Sequence, residues 1–201
     1  MIDEGFFDRH LGAVPVMAIL RGHGRGRTLE LCARAWDAGL ALVEVPVQSE
    51  DDLAALAAAV DAGRERGKPV GAGTVVSAAL VDQVAAAGAQ FTVAPGLDRD
   101  VAAASRDASL PHLPGVATAT ELQHARALGF VWIKAFPAAV LGADWFAAMR
   151  GPFPGARLVA TGGVNVDNGA ELLRAGAAAV SLGSSFAGAD PDRVRTLTGA
   201  A

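Results

Sequence analysis

Eight short apolar segments alternate with longer segments rich in alanine, leucine and charged residues, which predicts a single-domain (β/α)8 (TIM) barrel over residues 1–201. Strands that alternate with helices pair in parallel through right-handed crossovers, and eight such units in 201 residues favour a small closed barrel. An open doubly wound sheet is the alternative. The G-x-G-x-x-G fingerprint typical of such sheets is absent, because neither Gly22-His23-Gly24 nor Gly71-Ala72-Gly73 is followed by the third glycine.

The strand candidates are short runs rich in β-branched and aliphatic residues. They cover residues 14–20, 40–47, 69–74, 91–96, 110–116, 131–137, 156–163 and 179–185. Helical patterns lie between them at about 28–38, 50–66, 77–87, 98–108, 119–127, 142–149 and 165–175. Ser77, Asp98 and Thr118 stand where side chains favour helix starts. A short helix within residues 2–12 is expected to cover the bottom of the barrel, and the last helix, about 190–198, is short.

The composition argues against several classes of protein. The formal net charge is −4 and acids and bases are interspersed, so no basic face for nucleic acid is expected. Cys32 is the only cysteine, which makes an intramolecular disulfide impossible and a reducing cytoplasm the expected location. We expect neither a signal peptide nor a membrane span. The histidines are scattered without ligand spacing, so no metal site is expected.

Lys134 is an isolated cation in the apolar run 131–137 (VWIKAFP). Removing an ammonium group from water is unfavourable, so a buried lysine has a lowered pKa and a useful fraction of free amine. A free amine that faces a pocket can add to a ketone and form a Schiff base. The alternatives are a structural ion pair and a lysine whose amine reaches solvent.

Side-chain alternation along the strands brings Glu44 and Lys134 into one pocket. Glu44 faces away from the valines on either side of it, and Lys134 faces away from Ile133 and Ala135. An acid among such neighbours is unfavourable outside the barrel and useful inside it. The glutamate could carry protons while the lysine forms the covalent bond. A buried structural ion pair is the alternative.

The last two strands end in Thr161-Gly162-Gly163 and Gly183-Ser184-Ser185. Glycines expose backbone N–H groups, and the loops after strands seven and eight of a barrel commonly bind phosphate. We therefore expect a phosphate site there, and tight turns without a ligand are the alternative.

Two further polar residues could face the same pocket. Arg21 ends the first strand, where it could hold a carboxylate, keep Glu44 ionised or remain solvated. His112 could point inward from the fifth strand, although a lone histidine on a strand is usually structural.

Taken together, these segments resemble the 2-keto-3-deoxy-6-phosphogluconate (KDPG)/4-hydroxy-2-oxoglutarate (KHG) aldolase family over nearly the whole chain. The matching pieces are 18–22 (AILRG), 43–45 (VEV), 71–74 (GAGT), 94–96 (APG), 114–116 (PGV), 134–137 (KAFP), 161–164 (TGGV) and 183–185 (GSS). Lys-x-Phe-Pro and Thr-Gly-Gly in this order are specific to the family.

The resemblance implies a metal-independent class I aldolase in which Lys134 forms the Schiff base and Glu44 is the general acid and base. It also implies a homotrimer without a cofactor. The other residues that it places around the substrate are Thr74, Phe136 and Thr161, with Pro95 near the pocket wall, and Gly162, Gly163 and Ser184 or Ser185 at the phosphate.

The substrate implied by the resemblance is a phosphorylated 2-oxo acid, KDPG, which is cleaved to pyruvate and glyceraldehyde 3-phosphate. Thr161 matches the threonine of the gluconate-type enzymes, whereas relatives that act on the galactonate epimer look more apolar there. Gln48 stands where some family members carry arginine, so Arg21 is expected to supply that charge. Three alternatives stay open: an aldolase for the galactonate epimer, one for unphosphorylated KHG and, more remotely, a non-catalytic barrel that binds a phosphate ligand.

Overall fold

The computed structural model describes residues 5–199, in which strands and helices alternate. The strands are β1 (Val16–Ile19), β2 (Leu42–Pro46), β3 (Val70–Gly73), β4 (Thr92–Val93), β5 (His112–Leu113), β6 (Gly115–Val116), β7 (Trp132–Ala135), β8 (Arg157–Thr161) and β9 (Ala179–Leu182). The helices are α1 (Phe6–Leu11), α2 (Gly24–Asp37), α3 (Glu50–Arg66), α4 (Ala78–Ala86), α5 (Arg99–Asp107), α6 (Ala119–Ala127), α7 (Ala138–Arg150), α8 (Gly169–Ala175) and α9 (Pro191–Thr198), with a 3-10 turn, Phe186–Gly188, before α9.

The strands form one parallel sheet in the order β5-β4-β3-β2-β1-β9-β8-β7-β6. The sheet curls into a barrel because β5 and β6 are two halves of one extended segment, 112–116, which pairs with β4 on one side and with β7 on the other. Pro114 divides the predicted strand 110–116, since proline has no N–H for a sheet ladder. The Pro114 carbonyl still accepts a hydrogen bond from the Lys134 N–H at 2.8 Å. The predicted (β/α)8 barrel is confirmed, with its fifth strand in two pieces.

Helix α1 closes the bottom of the barrel, at the amino-terminal ends of the strands. The rings of Phe6 and Phe7 lie 5.5 and 5.8 Å from the ring of Phe91, and the Trp132 indole donates to Asp8 at 3.0 Å. The apolar cluster at this end contains Phe6, Phe7, Leu11, Met17, Leu42, Phe91, Val93, Leu113, Trp132, Val159 and Ala179. The predicted bottom helix is confirmed where the structure describes it, and residues 2–4 of the prediction lie outside the described residues. An open cavity inside the barrel can therefore lie only toward the other end.

Alternation along the strands divides the core into two layers. Val43 and Val45 of β2 and Ile133 and Ala135 of β7 lie in the outer layer, which packs against the helices.

The described helices include none that combines the length and the apolar character required to cross a membrane.

Two helices start at other positions than the sequence predicts. Helix α7 begins at Ala138 rather than at 142, because a first helical turn precedes a kink at Gly142, whose backbone angles are not helical (φ 76°, ψ 166°). Helix α8 begins at Gly169 rather than at 165, because Asn165 Oδ1 accepts the N–H groups of Asp167 and Asn168 at 2.8 and 3.0 Å and holds the preceding turn.

His112 points out of the barrel rather than into it. Its Nδ1 is hydrogen-bonded to Thr92 Oγ1 at 2.9 Å, and Thr92 Oγ1 is 3.0 Å from Ser105 Oγ of α5. Burial lowers the pKa of His112 from 6.5 to about 4, so the imidazole is neutral in the folded protein at neutral pH. His112 is therefore not part of the barrel interior, and its hydrogen bond to Thr92 helps to tie the sheet to α5.

We predict that His112 makes the protein sensitive to acid. Below pH 6.5 the unfolded chain binds a proton that the folded chain binds only near pH 4, so the free energy of unfolding falls across this window. A pKa lowered from 6.5 to about 4 corresponds to a loss of about 3 kcal/mol. Urea unfolding at pH 7 and pH 4.5 should show a smaller loss for His112→Gln than for the wild type. His124→Gln, at an exposed position on α6, should behave as the wild type, and equal losses in all three proteins would refute the prediction.

Candidate active site

Lys134 on β7 and Glu44 on β2 are buried inside the barrel, with 4% and 0% of their surface exposed. Neither carboxylate oxygen of Glu44 has a hydrogen-bond partner among the residues that the structure describes. The two side chains are close enough to interact electrostatically but do not hydrogen-bond directly. Buried polar atoms without partners are uncommon in proteins, and each one calls for a structural or functional explanation.

Burial shifts the pKa values of these two groups in opposite directions. Burial lowers the pKa of Lys134, which favours the free amine, although the negative charge of Glu44 opposes this change. Burial raises the pKa of Glu44, while Lys134 and Arg21 lower it. The charge of Arg21 thus favours both a neutral amine on Lys134 and an ionised carboxylate on Glu44. Burial has the larger effect on Glu44 and favours its protonated form, so the positive charges of Arg21 and Lys134 supply what favours the ionised form that a general base requires.

A cavity of about 520 Å³ opens at the carboxyl-terminal ends of the strands, within the size range of small-molecule sites. Its lining residues are Ile19, Arg21, His23, Lys134, Phe136, Thr161, Gly162, Gly163, Val164, Gly183 and Ser184. The structure therefore brings most of the predicted site residues together around Lys134.

Phe136 forms one wall of this cavity. The Lys134 Nζ lies 5.3 Å from the centre of its ring, a distance that allows a cation–π interaction. The other face of the wall is Gly162, whose φ of 92° suits glycine and where a Cβ would lie 2.9 Å from the Phe136 ring. A side chain at 162 would therefore displace the aromatic wall.

Gly73, at the end of β3, makes room for Glu44. A Cβ at position 73 would lie 1.8 Å from Glu44 Oε1, so any larger residue would occupy the place of the carboxylate. The glycine explains how the Glu44 side chain fits inside the barrel beside β3.

The glycine-containing ends of the adjacent strands β8 and β9 continue the cavity wall beside Phe136. Gly162, Gly163, Gly183 and Ser184 line the cavity there, and loops without bulky side chains present backbone N–H groups to an anion. Ser185 is not part of the lining: its hydroxyl donates to the Val164 carbonyl at 2.9 Å and ties the two loops together.

Arg21 stands between this cavity and a neighbouring one. Its Nη1 donates to Gln48 Oε1 and its Nη2 donates to Thr74 Oγ1 at 3.1 Å. Gln48 and Thr74 line the neighbouring cavity of about 570 Å³, which contains neither Lys134 nor Glu44. Thr74 has a φ of 59°, an unusual conformation for a β-branched residue. Thr74 therefore does not line the Lys134 cavity, but it is hydrogen-bonded to Arg21, which does.

Pro95 lies at the end of β4, is half-buried and does not line the Lys134 cavity. Its carbonyl packs so closely against Gly115 that a Cβ there would lie 2.2 Å from the carbonyl oxygen. The structure therefore places Pro95 in the support of the barrel closure.

Sequence reasoning missed three lining residues, Ile19, His23 and Val164. Ile19 could have been found, because it lies two residues before Arg21 and alternation therefore places both side chains on the same face of the strand. His23 follows Gly22, whose φ of 66° turns the loop over the cavity, and Val164 follows the similarly turned Gly163 (φ 71°). Alternation does not extend into such loops.

Other reactive side chains lie away from the cavity. Cys32 lies on the buried face of α2, in the hydrophobic core, and burial raises the pKa of its thiol to about 12. Within residues 5–199, no three His, Cys, Asp or Glu side chains come together as metal ligands would.

Comparison with known proteins gives consistent matches. A family model described as KDPG and KHG aldolase matches residues 7–195. The 2-dehydro-3-deoxy-6-phosphogalactonate aldolase of Escherichia coli K12 is 34% identical over 189 residues, 94% of this chain and 92% of that enzyme. The 2-dehydro-3-deoxy-phosphogluconate aldolase of Treponema pallidum is 40% identical, over 105 residues, 52% of this chain and 50% of that enzyme. The KDPG aldolase of Legionella pneumophila, solved with pyruvate captured at low pH as a covalent carbinolamine intermediate, matches with a TM-score of 0.80 and 28% identity over 92% of this chain and 93% of that one.

Proposed function

Because the chain belongs to the KDPG and KHG aldolase family, we propose that it is a class I aldolase in which Lys134 forms a Schiff base with a 2-oxo acid and Glu44 transfers protons. The observation that carries the proposal is the pair itself: the buried amine of Lys134 lines a cavity of about 520 Å³, and the buried carboxylate of Glu44, which interacts with it electrostatically, has no hydrogen-bond partner among the described residues. The carbinolamine captured in the Legionella relative supports covalent chemistry with pyruvate.

The proposed reaction proceeds in balanced steps. The Lys134 amine attacks the C2 ketone, and loss of water gives an iminium ion that acts as an electron sink. Glu44, directly or through water, takes the proton of the C4 hydroxyl as the C3–C4 bond breaks. The aldehyde leaves, the enamine carbon is protonated with the help of Glu44, and hydrolysis of the iminium frees pyruvate and Lys134.

The rest of the cavity fits the two ends of a phosphorylated 2-oxo acid. Arg21, near both Lys134 and Glu44, pairs with the carboxylate at C1, and Phe136 packs against the three-carbon part that becomes pyruvate. The phosphate binds at the glycine-containing ends of β8 and β9, on Gly162, Gly163, Gly183 and Ser184.

The gluconate epimer, KDPG, is the proposed substrate, and the galactonate epimer is the second candidate. Thr161 lines the cavity and offers it a hydroxyl, the group that the resemblance associates with the gluconate-type enzymes. The second candidate is favoured by the comparisons, since the galactonate enzyme of E. coli matches 94% of this chain and the gluconate enzyme of T. pallidum matches 52%.

The test is the release of pyruvate from each epimer and from KHG, followed with lactate dehydrogenase and NADH. We expect turnover of both phosphorylated epimers, with the higher kcat/KM for KDPG. Faster turnover of the galactonate epimer would select the second candidate. The absence of pyruvate from all three compounds would refute the aldolase proposal.

We predict that Thr161→Val lowers the preference for KDPG. A hydrogen bond between uncharged groups contributes about 0.5–1.5 kcal/mol, so kcat/KM for KDPG should fall about 2- to 12-fold relative to that for the galactonate epimer. Steady-state kinetics with both epimers measure the ratio. An unchanged ratio would show that Thr161 does not distinguish the epimers.

A further inference from the structure

The hydroxyl of Thr161 is hydrogen-bonded to a second hydroxyl, that of Ser181, which does not line the cavity. Ser181 is its partner in the β8–β9 register, and the two residues are 3% and 1% exposed. The Thr161 hydroxyl donates to Ser181 Oγ at 3.2 Å. Ser181 itself is not among the residues that line the cavity, so it can affect a ligand only through its neighbours.

The direction of this hydrogen bond determines what Thr161 offers to a ligand. A hydroxyl has one hydrogen and two lone pairs. Because the hydrogen of Thr161 points down to Ser181, a lone pair is left for the cavity. Thr161 therefore meets a ligand as a hydrogen-bond acceptor.

Without Ser181, the hydrogen of Thr161 would be poorly held. Among the described residues, the Val159 carbonyl is the other acceptor within reach of this hydroxyl, at 3.4 Å. Hydrogen bonds between hydroxyls and oxygen acceptors are commonly about 2.7–2.8 Å long, so this contact is weak. The hydroxyl would then turn and donate into the cavity as readily as it accepts.

We propose that Ser181 is a positioning residue that fixes Thr161 as an acceptor and thereby contributes to the choice between epimeric substrates. The proposal rests on the aldolase function proposed above. A hydroxyl of one configuration can donate to the fixed lone pair, whereas the epimer directs its hydroxyl elsewhere. Ser181→Ala therefore reduces discrimination, because a freely turning Thr161 hydroxyl can serve either partner.

A double-mutant cycle tests the proposal. The ratio of kcat/KM for the two epimers is measured in the wild type, Ser181→Ala, Thr161→Val and the double variant. Ser181→Ala should move the ratio about 2- to 10-fold toward equality, the effect of one hydrogen bond, and should have no further effect when Thr161 is valine. Ser181→Cys, which keeps a similar volume but has a weak acceptor, should move the ratio in the same direction.

Ser105→Ala is the matched control. It removes another fully buried serine hydroxyl, which is bonded to Thr92 outside the barrel interior, and it should leave the epimer ratio unchanged. A Ser181→Ala effect of the same size in the Thr161→Val background would refute positioning through Thr161. An equal loss for both epimers would also refute it, because a structural defect acts on both.

Pyruvate separates this inference from the proposed function. Pyruvate has no C4 hydroxyl, so its capture by borohydride should be the same in the wild type and in Ser181→Ala. Slower capture in the variant would overturn the positioning role alone. Failure of the wild type to capture pyruvate and to release it from either epimer would overturn the proposed function, and the inference with it.

Discussion

Replacing Lys134 with alanine is expected to abolish the capture of pyruvate by borohydride and to lower aldol cleavage by about 10⁴-fold or more, the order of loss when a covalent nucleophile is removed. The amine is the group that converts the C2 ketone into an electron sink, and no neighbouring side chain in the cavity can replace it. Capture is measured as a reduced adduct in the mass of the intact protein, and cleavage is measured with the coupled pyruvate assay.

The composition of the chain makes this experiment specific. The sequence contains two lysines, Lys68 and Lys134. Lys68 lies between α3 and β3, at the end of the barrel opposite the cavity. Lys68→Ala should therefore keep both capture and cleavage, and peptide mapping of the wild type should place the adduct on Lys134. An adduct that persists in Lys134→Ala at the wild-type rate would refute the proposed role.

The strand positions of the central pair could be predicted because alternation is strict inside strands. Glu44 and Lys134 each stand among outward-facing apolar neighbours, and the structure buries both in the interior. The fold followed from the same alternation, and the structure changed it mainly at Pro114, where the missing N–H divides one strand into two.

The loops could not be predicted in the same way. Thr74 and Pro95 follow strands as the resemblance requires, yet a positive φ at Thr74 and a close contact between Pro95 and Gly115 set them apart from the Lys134 cavity. The hydrogen bond of Ser185 to the Val164 carbonyl likewise depends on two loops that are distant in sequence. The homotrimer that the resemblance implies stays a prediction.

The most informative test of the site is the conversion of Glu44 to glutamine, which keeps the shape of the side chain and removes its capacity to transfer a proton. We expect kcat for cleavage to fall about 10²- to 10⁴-fold, the usual contribution of a general acid or base. Borohydride should still capture pyruvate on Lys134, because the amine is intact. The exchange of the pyruvate methyl hydrogens in D2O should fall together with cleavage, since the enamine forms and is protonated at that carbon. Proton NMR measures this exchange.

The two readouts separate proton transfer from structural damage. A glutamine at 44 buries no charge, so the variant should be at least as resistant to unfolding as the wild type, and loss of both capture and stability would indicate a disturbed barrel instead. Glu65→Gln, at an exposed position near the end of α3, is the matched control and should keep capture, exchange and cleavage. If Glu44→Gln exchanged the methyl hydrogens at the wild-type rate, another group would have to move the proton. The buried carboxylate would then act only as a countercharge for Lys134.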